Sequence, residues 1–209
     1  EAYNVNNVNI TVGFNRRFSA ISKKLRAELN DSPISINYRI NAGKLDSSHW
    51  TQNPKIGGGR VIGEACHFID YCSFLANSSI VSVSAFSMKS ADNTNDTMSI
   101  NLSFQNGSIA SITYYANGNS SIEKEHVEIF SNGIIYEIED FHTLTKFGKK
   151  VQKTKLNGQD KGYAQEVNLF IEGIKNGYPL IPYGTLYNST LATLKVIESS
   201  QNGGQLITI

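Results

Sequence analysis

Only two cysteines occur in the 209-residue chain, Cys66 and Cys72. Six residues apart on what reads as one helix, they point to different faces and cannot easily meet as a disulfide. A reducing compartment, the cytoplasm, is therefore the expected setting. No apolar run approaches the roughly 18 residues of a membrane span. The N-terminal EAYNVNNVNITV carries neither the basic stretch nor the apolar core of a secretion signal. An excess of one charge is lacking as well. With 19 basic against 18 acidic residues the formal net charge is +1, which argues against nucleic acid or an anionic membrane as partner. The one basic cluster, Lys146 to Lys153, reads as a solvated strand or turn.

The common chemical signatures are missing too: no β-α-β-α-β series, Walker loop, paired CxxC or serine-nucleophile elbow is present. The nearest candidate is GGGRVIGEACHFID, residues 57–70. A dinucleotide fingerprint needs G-x-G-x-x-G directly after a buried strand, so that the pyrophosphate meets a helix N-terminus. Gly57 and Gly59 fit two places, but the third falls on Ile62, and the residues before Gly57 are polar and broken by Pro54. That stretch is not a phosphate cradle.

What is present is patterning. Hydrophobic residues make up 40% of the chain, enough for a proper core. Val8 to Phe14 alternates apolar and polar as a half-buried strand does, and Phe18, Ile21, Leu25 and Leu29 then recur at helical spacing, with Ser19 placed to cap. Ser35 to Ile40 predicts a strand. Residues 41–56 form a long loop holding the only tryptophan, Trp50, and a loop of that length in a compact domain is usually functional. A helix is expected over about 60–75. Strands follow at Ile80–Ser87, Thr97–Phe104, Ser108–Tyr115, His126–Phe130 and Ile134–Ile138, with Asn106-Gly107 and Asn132-Gly133 as hairpin turns. Helical spacing returns in Ala164–Lys175 (Val167, Phe170, Ile171, Ile174) and Leu186–Ile197 (Leu191, Leu194, Ile197), before a short strand, Gln205–Ile209. With no repeat and no linker, the expectation is one α+β domain over residues 1–209, a large mostly antiparallel, mixed open sheet with helices packed on one face.

Chemistry collects on the helix over 60–75. Residues three or four apart share a face, so His67 stands beside Gly63 and Glu64 on one side and Asp70 and Tyr71 on the other, with Arg60 one turn back. Glycine inside a helix costs about 1 kcal/mol relative to alanine, which close packing of another backbone or open space for a ligand would have to offset. Glu64 is within reach to raise the pKa of His67 or fix its tautomer, as a proton-shuttling histidine requires. The alternative is a partly buried histidine satisfied by Glu64 or Asp70 with no catalytic duty.

Two motifs in this order resemble the Gfo/Idh/MocA oxidoreductases: VGFNRRFS (12–19), which is similar to the family's strand-to-helix lead into its C-terminal domain, and GGGRVIGEACHFIDYCSFL (57–75), which is similar to its catalytic helix. NYRINAGKLDSSHW (37–50) resembles the substrate loop of a subgroup found in bacterial surface-polysaccharide and sugar metabolism. The resemblance implies a substrate-binding and oligomerisation domain, with NAD or NADP held mainly by an N-terminal Rossmann domain that lies outside this sequence. No cofactor is then expected on this chain alone, and the isolated domain is expected to be inactive. It implies a sugar or nucleotide-sugar substrate and a homodimer, or larger assembly, paired through the open sheet face. It assigns His67 to acid/base catalysis, with Glu64 as the nearest carboxylate. It places Asn15 and Arg16 near the nicotinamide and substrate; Lys44, His49 and Trp50 of the long loop, with Arg60, Gly63 and Asp70 on the His67 stripe, are the further substrate-binding candidates. Many members carry an aspartate four residues before the histidine, where this chain has Gly63; Glu64 lies about 100 degrees further round the helix. The competing expectation is a non-catalytic dimerisation or sugar-binding module.

Overall fold

The computed structural model describes residues 9–46, 48–52, 56–90 and 95–209. The first regular element is a 3-10 turn, Asn15–Phe18. Ser19 ends it in extended geometry and accepts a hydrogen bond from Ser22 N. This is an N-cap on helix α1 (Ala20–Glu28), satisfying one of the amides that a helix start leaves free. Ile21 and Leu25 turn inward.

The expected strand from Val8 to Phe14 does not form. Val8 lies outside the described residues, and residues 9–14 carry no strand; Phe14 N bonds back to Val12 O at 2.6 Å in a γ-turn. Alternation gives a segment one apolar face, but a strand also needs a ladder partner. None runs beside this segment among the described residues, and Ile10 and Val12 stay exposed.

Strand β1 (Ser35–Asn41) leads into the long loop, whose described part contains one short 3-10 turn, Trp50–Gln52. The helix expected over 60–75 begins as a π-helical turn, Val61–Ala65, in which Cys66 N–H reaches back five residues to Val61 O. It continues as α2 (Cys66–Ala76). Then come β2 (Ile80–Ser87), β3 (Met98–Phe104), β4 (Ile109–Tyr115), β5 (Glu125–Ser131), β6 (Ile134–Glu139), β7 (Thr143–Phe147) and β8 (Gln152–Lys155). Helices α3 (Tyr163–Asn176) and α4 (Tyr183–Gln201) and the two-residue β9 (Ile207–Thr208) complete the chain. At the β5–β6 turn Asn132 and Gly133 both take positive φ, 49° and 76°, the pairing that matches the twist of a two-residue hairpin.

Among the described residues nine strands form one sheet in the order β8-β7-β6-β5-β1-β4-β3-β2-β9. Every pair is antiparallel except β1 with β4. One cross-strand row shows how the core is made: Ile100, Ile112, Tyr38, Val127, Ile138 and Leu144 are register partners across six strands, and all are buried. Phe68, Ile69, Cys72 and Leu75 of α2, with Ala192 and Val196 of α4, close over the same core. The opposite face is open. At one end of it Ile109, Ser35, Phe130, Ile135 and Phe147 line up across five strands, and the four apolar members are exposed.

Two helices show faces that their periodicity did not foretell. On α3 the regular stripe Val167, Ile171, Ile174 points outward, and the helix buries Glu166 and Gly173 instead. On α4 the buried positions are Leu186, Ser189, Ala192, Thr193, Val196 and Ser199. Small residues there let the helix approach the sheet closely, while Leu194 is exposed.

Candidate active site

Three segments converge on His67: the 3-10 turn before α1, the π turn before α2, and the start of β5. The first delivers Asn15 and Arg16, both buried. Arg16 grips Glu125 of β5 with two parallel hydrogen bonds, Nε to Oε2 at 2.7 Å and Nη2 to Oε1 at 2.8 Å. Such forked pairs fix geometry as well as charge. Tyr38 OH also donates to Glu125, and Lys161 Nζ stands 2.7 Å from Glu125 Oε1 and 3.1 Å from Asp140 Oδ1. Burial works against the charge of Glu125, but Arg16 and then Lys161 outweigh it and hold its pKa down at about 2. Asn15 donates to Lys161 O at 2.6 Å, while its own Oδ1 is buried without a partner. The close approach depends on Gly162, at φ 85°: a Cβ there would overlap the Asn15 carbonyl and come within 2.6 Å of Ser19 N.

The π turn builds a second ionic group. Arg60 is almost fully buried and donates to Gly43 O at 2.7 Å, tying the long loop to the helix. Its guanidinium lies 5.2 Å from the centre of the Tyr114 ring. Tyr114 OH donates to Glu64 Oε2 at 2.6 Å, and Arg60 and Lys124 each stand 3.6 Å from the same oxygen. Burial of Glu64 favours its neutral form, yet Tyr114, Lys124 and Arg60 together hold its pKa below the usual carboxylate range. Glu64 is therefore an anion at neutral pH. The loop sits tightly on Gly57, where a Cβ would come 2.5 Å from Thr51 Cα. At Gly63 the nearest heavy atom to a Cβ is Gly57 O at 3.9 Å, so that glycine faces open space.

His67 lies between these two groups, half-buried, with the Phe14 ring edge-on at 5.8 Å. Its Nδ1 is buried without a hydrogen-bond partner. Desolvation, followed by the positive charge of Arg16, pushes its pKa down to about 4, against smaller opposing pulls from Glu125 and Glu64. The imidazole is neutral at physiological pH and able to accept a proton. Burial pushes the neighbouring Cys66 thiol up to about 11, so it is not a poised nucleophile. Among the described residues no His/Cys/Asp/Glu cluster could hold a metal, and no helix is long and apolar enough to cross a membrane.

The single polar stripe expected on the helix is thus divided. Glu64 turns to Tyr114 and makes no hydrogen bond to His67. Tyr71 is buried and its hydroxyl meets that of Ser22 at 2.9 Å. Asp70 is also buried, gripped by Arg17 and 3.3 Å from Ser189 Oγ. A π turn carries more residues per turn than an α-helix, so α-helical spacing misplaces the side chains before Cys66. From the loop, Lys44 is exposed, His49 bonds Thr51 Oγ1 at 2.7 Å, and the Trp50 ring lies 6.0 Å from that of His49 and is 60% exposed. Arg16 and Glu64 act on His67 through their charges, Arg60 joins the group around Glu64, and Asp70 is taken up by Arg17 and Ser189. Sequence reading missed Lys124, Glu125, Tyr114 and Lys161. The available signal was the charged run Glu123-Lys124-Glu125 directly before a strand, which reads as solvated edge.

Residues 32–132 match the GFO/IDH/MocA C-terminal domain. No functionally curated protein matches the sequence. Solved structures of similar fold include an NAD-binding oxidoreductase from Klebsiella pneumoniae (15% identity, TM-score 0.81, covering 100% of this chain and 68% of that one). A UDP-N-acetylglucosamine 3-dehydrogenase from Acidithiobacillus ferrooxidans matches with 15% identity and TM-score 0.79, covering 96% of this chain and 64% of that one. An aldose-aldose oxidoreductase from Caulobacter crescentus, complexed with glycerol, matches with 17% identity and TM-score 0.78, covering 97% and 64%. The chain therefore spans about two thirds of the length of these structures. At such identities the likeness is one of fold.

Proposed function

We propose, from the match of residues 32–132 to the GFO/IDH/MocA C-terminal domain, that residues 1–209 are the substrate-binding, catalytic-histidine and oligomerisation part of an NAD(P)-dependent oxidoreductase acting on a sugar or nucleotide sugar. The observation that carries this reading is His67 itself: a neutral imidazole with an unpartnered buried nitrogen, set between two ionic groups. Two proteins of the same fold are named for action on an aldose and on UDP-N-acetylglucosamine. Bacterial surface-polysaccharide or carbohydrate metabolism in the cytoplasm is the setting this substrate class suggests.

His67 takes the proton of the substrate hydroxyl as general base. Glu64, charged and held by Tyr114, favours the imidazolium that results. Burial first, and then Arg16 immobilised on Glu125, keeps the resting histidine unprotonated. Arg60 fixes the loop from which Lys44, His49 and Trp50 reach the sugar, and open space at Gly63 leaves room for it. Asp70 acts at a distance by locking Arg17 and Ser189, which orients the 3-10 turn. A nicotinamide, when bound, supplies the hydride acceptor. Asn15 would hold its amide end, since Asn15 Oδ1 is a buried acceptor lacking a donor. Two copies would pair through the open face, over the row of Ile109, Phe130, Ile135 and Phe147.

The chain alone is expected to be inactive. In the full-length gene product, sugar-dependent NAD(P)H formation is expected, and His67→Asn should lower kcat about 10²- to 10⁴-fold with little change in KM. Unchanged turnover in that variant would remove His67 from the mechanism. An interaction module without chemistry would show the dimer in sedimentation but no turnover in any form.

A further inference from the structure

We propose that Lys124 is an anion-recognition point in the substrate cleft, taking a carboxylate or phosphate oxygen of an acidic or phosphorylated sugar; this rests on the reading of His67 as the centre of the sugar site. The argument begins with which cations near His67 are already occupied. Arg16 is engaged by Glu125 through both arms of its fork, and Arg17 by Asp70 in the same way. Lys161 bridges Glu125 and Asp140. Arg60 is buried and donates to Gly43 O. Lys124 differs from all four. Its ion pair is a long one, 3.6 Å to Glu64 Oε2, and its side chain is 39% exposed.

Glu64 is not held by that ammonium alone. Tyr114 OH already donates to Oε2, and Arg60 is a second cation at the same distance. Lys124 is thus the most loosely held cation of the network, and its half-exposed ammonium keeps donors for a ligand. Its base is nevertheless rigid. Asn41 N donates to Lys124 O at 2.7 Å and Arg39 Nη1 to Glu123 O at 3.1 Å, and the next residue, Glu125, is clamped by Arg16. A long, flexible side chain on a fixed backbone, close enough to His67 to act on its charge and only loosely paired, suits a charged ligand atom. A neutral sugar hydroxyl could use Glu64 as acceptor and would gain little from a second cation. An ammonium acts as a point charge and does not select between planar and tetrahedral anions, so carboxylate and phosphate are alternative sources of one interaction.

The test titrates the chain with glucose, glucuronate and glucose 6-phosphate while following the His67 ring resonances by NMR. Glucuronate, glucose 6-phosphate or both should perturb His67 at about tenfold lower concentration than glucose, in keeping with one charge-assisted hydrogen bond. Whichever acid shows the gain identifies the anion. Lys124→Gln should abolish the gain and leave the response to glucose intact, whereas Lys149→Gln, on an exposed turn far along the chain, should change nothing. If all three sugars perturb His67 equally, or if Lys124→Gln keeps the preference, Lys124 is not the recognition point although the sugar site stands. If no sugar perturbs His67, the sugar site itself is refuted.

Discussion

Two ionic groups flank His67, and they are made of the same materials arranged to different ends. The group around Glu125 joins a turn before α1, a central strand and the start of α3, and each of its charges is buried and matched. The group around Glu64 hangs on one π turn, with the Glu64 side chain 29% exposed and Lys124 39% exposed in a 3.6 Å pair with it. A buried charge that loses its partner is expensive, whereas a half-exposed one can fall back on water. The first group can therefore serve only as frame. The second can exchange partners with a ligand without endangering the fold.

The largest expected effect separates them directly. Glu125→Gln leaves Arg16 buried without its counter-charge and Lys161 with Asp140 alone, and should lower unfolding stability by about 3–5 kcal/mol in urea titrations; a loss below about 1 kcal/mol would erase the distinction. Next, Gly162→Ala should cost about 2–4 kcal/mol, because it combines positive φ with overlap on the Asn15 carbonyl. Acid should act in two separate windows. His67 has a folded pKa of about 4, below its ordinary 6.5, so the unfolded chain binds the proton more readily. The stability conferred by neutral His67 is complete above pH 6.5 and falls by up to about 3 kcal/mol as pH drops towards 4. Glu125, lowered from 4.5 to about 2, loses its contribution only below pH 4.5. Thermal melts of His67→Asn should flatten the upper window and leave the lower one. Glu64→Gln should cost about 1 kcal/mol or less by the same urea measurement, and an effect rivalling that of Glu125→Gln would make the open group a frame as well. Smallest of all, Gly63→Ala should change stability by less than about 1 kcal/mol in either direction, since only Gly57 O lies near; a larger loss would mean that the cleft beside the π turn is closed.

Much of the framework was legible because it rests on local rules. Alternation located β1 to β6 within a residue or two, two Asn-Gly pairs located hairpins, and Ser19 capped α1 as its position suggested. The mixed sheet with helices on one face followed from those elements. The misses share a cause, which is that the deciding partner lies far away or is absent. The stretch ending at Phe14 has the right pattern for a strand and no ladder beside it. On α3 the apolar stripe was read correctly as helical, but periodicity does not say which way a stripe faces. Nothing in Val61–Ala65 announces five-residue hydrogen bonding, so Glu64 was aimed at His67 when it turns to Tyr114. Arg16 and Glu125 are 109 residues apart, and only the central placement of β1 beside β5 brings them together.

That central placement also divides the work of folding. The chain from β2 to β4 and the chain from β5 to β8 are each runs of neighbouring antiparallel strands, which can zip from their own turns. β1 alone touches both runs, and its parallel register with β4, beginning at Ser35 opposite Ile109, closes a loop containing α2, β2 and β3. Contacts of such separation form slowly, since the chain entropy of closure precedes any gain from pairing. The two meanders are thus expected to form early and apart, and the surroundings of His67 are completed only when β1 joins them.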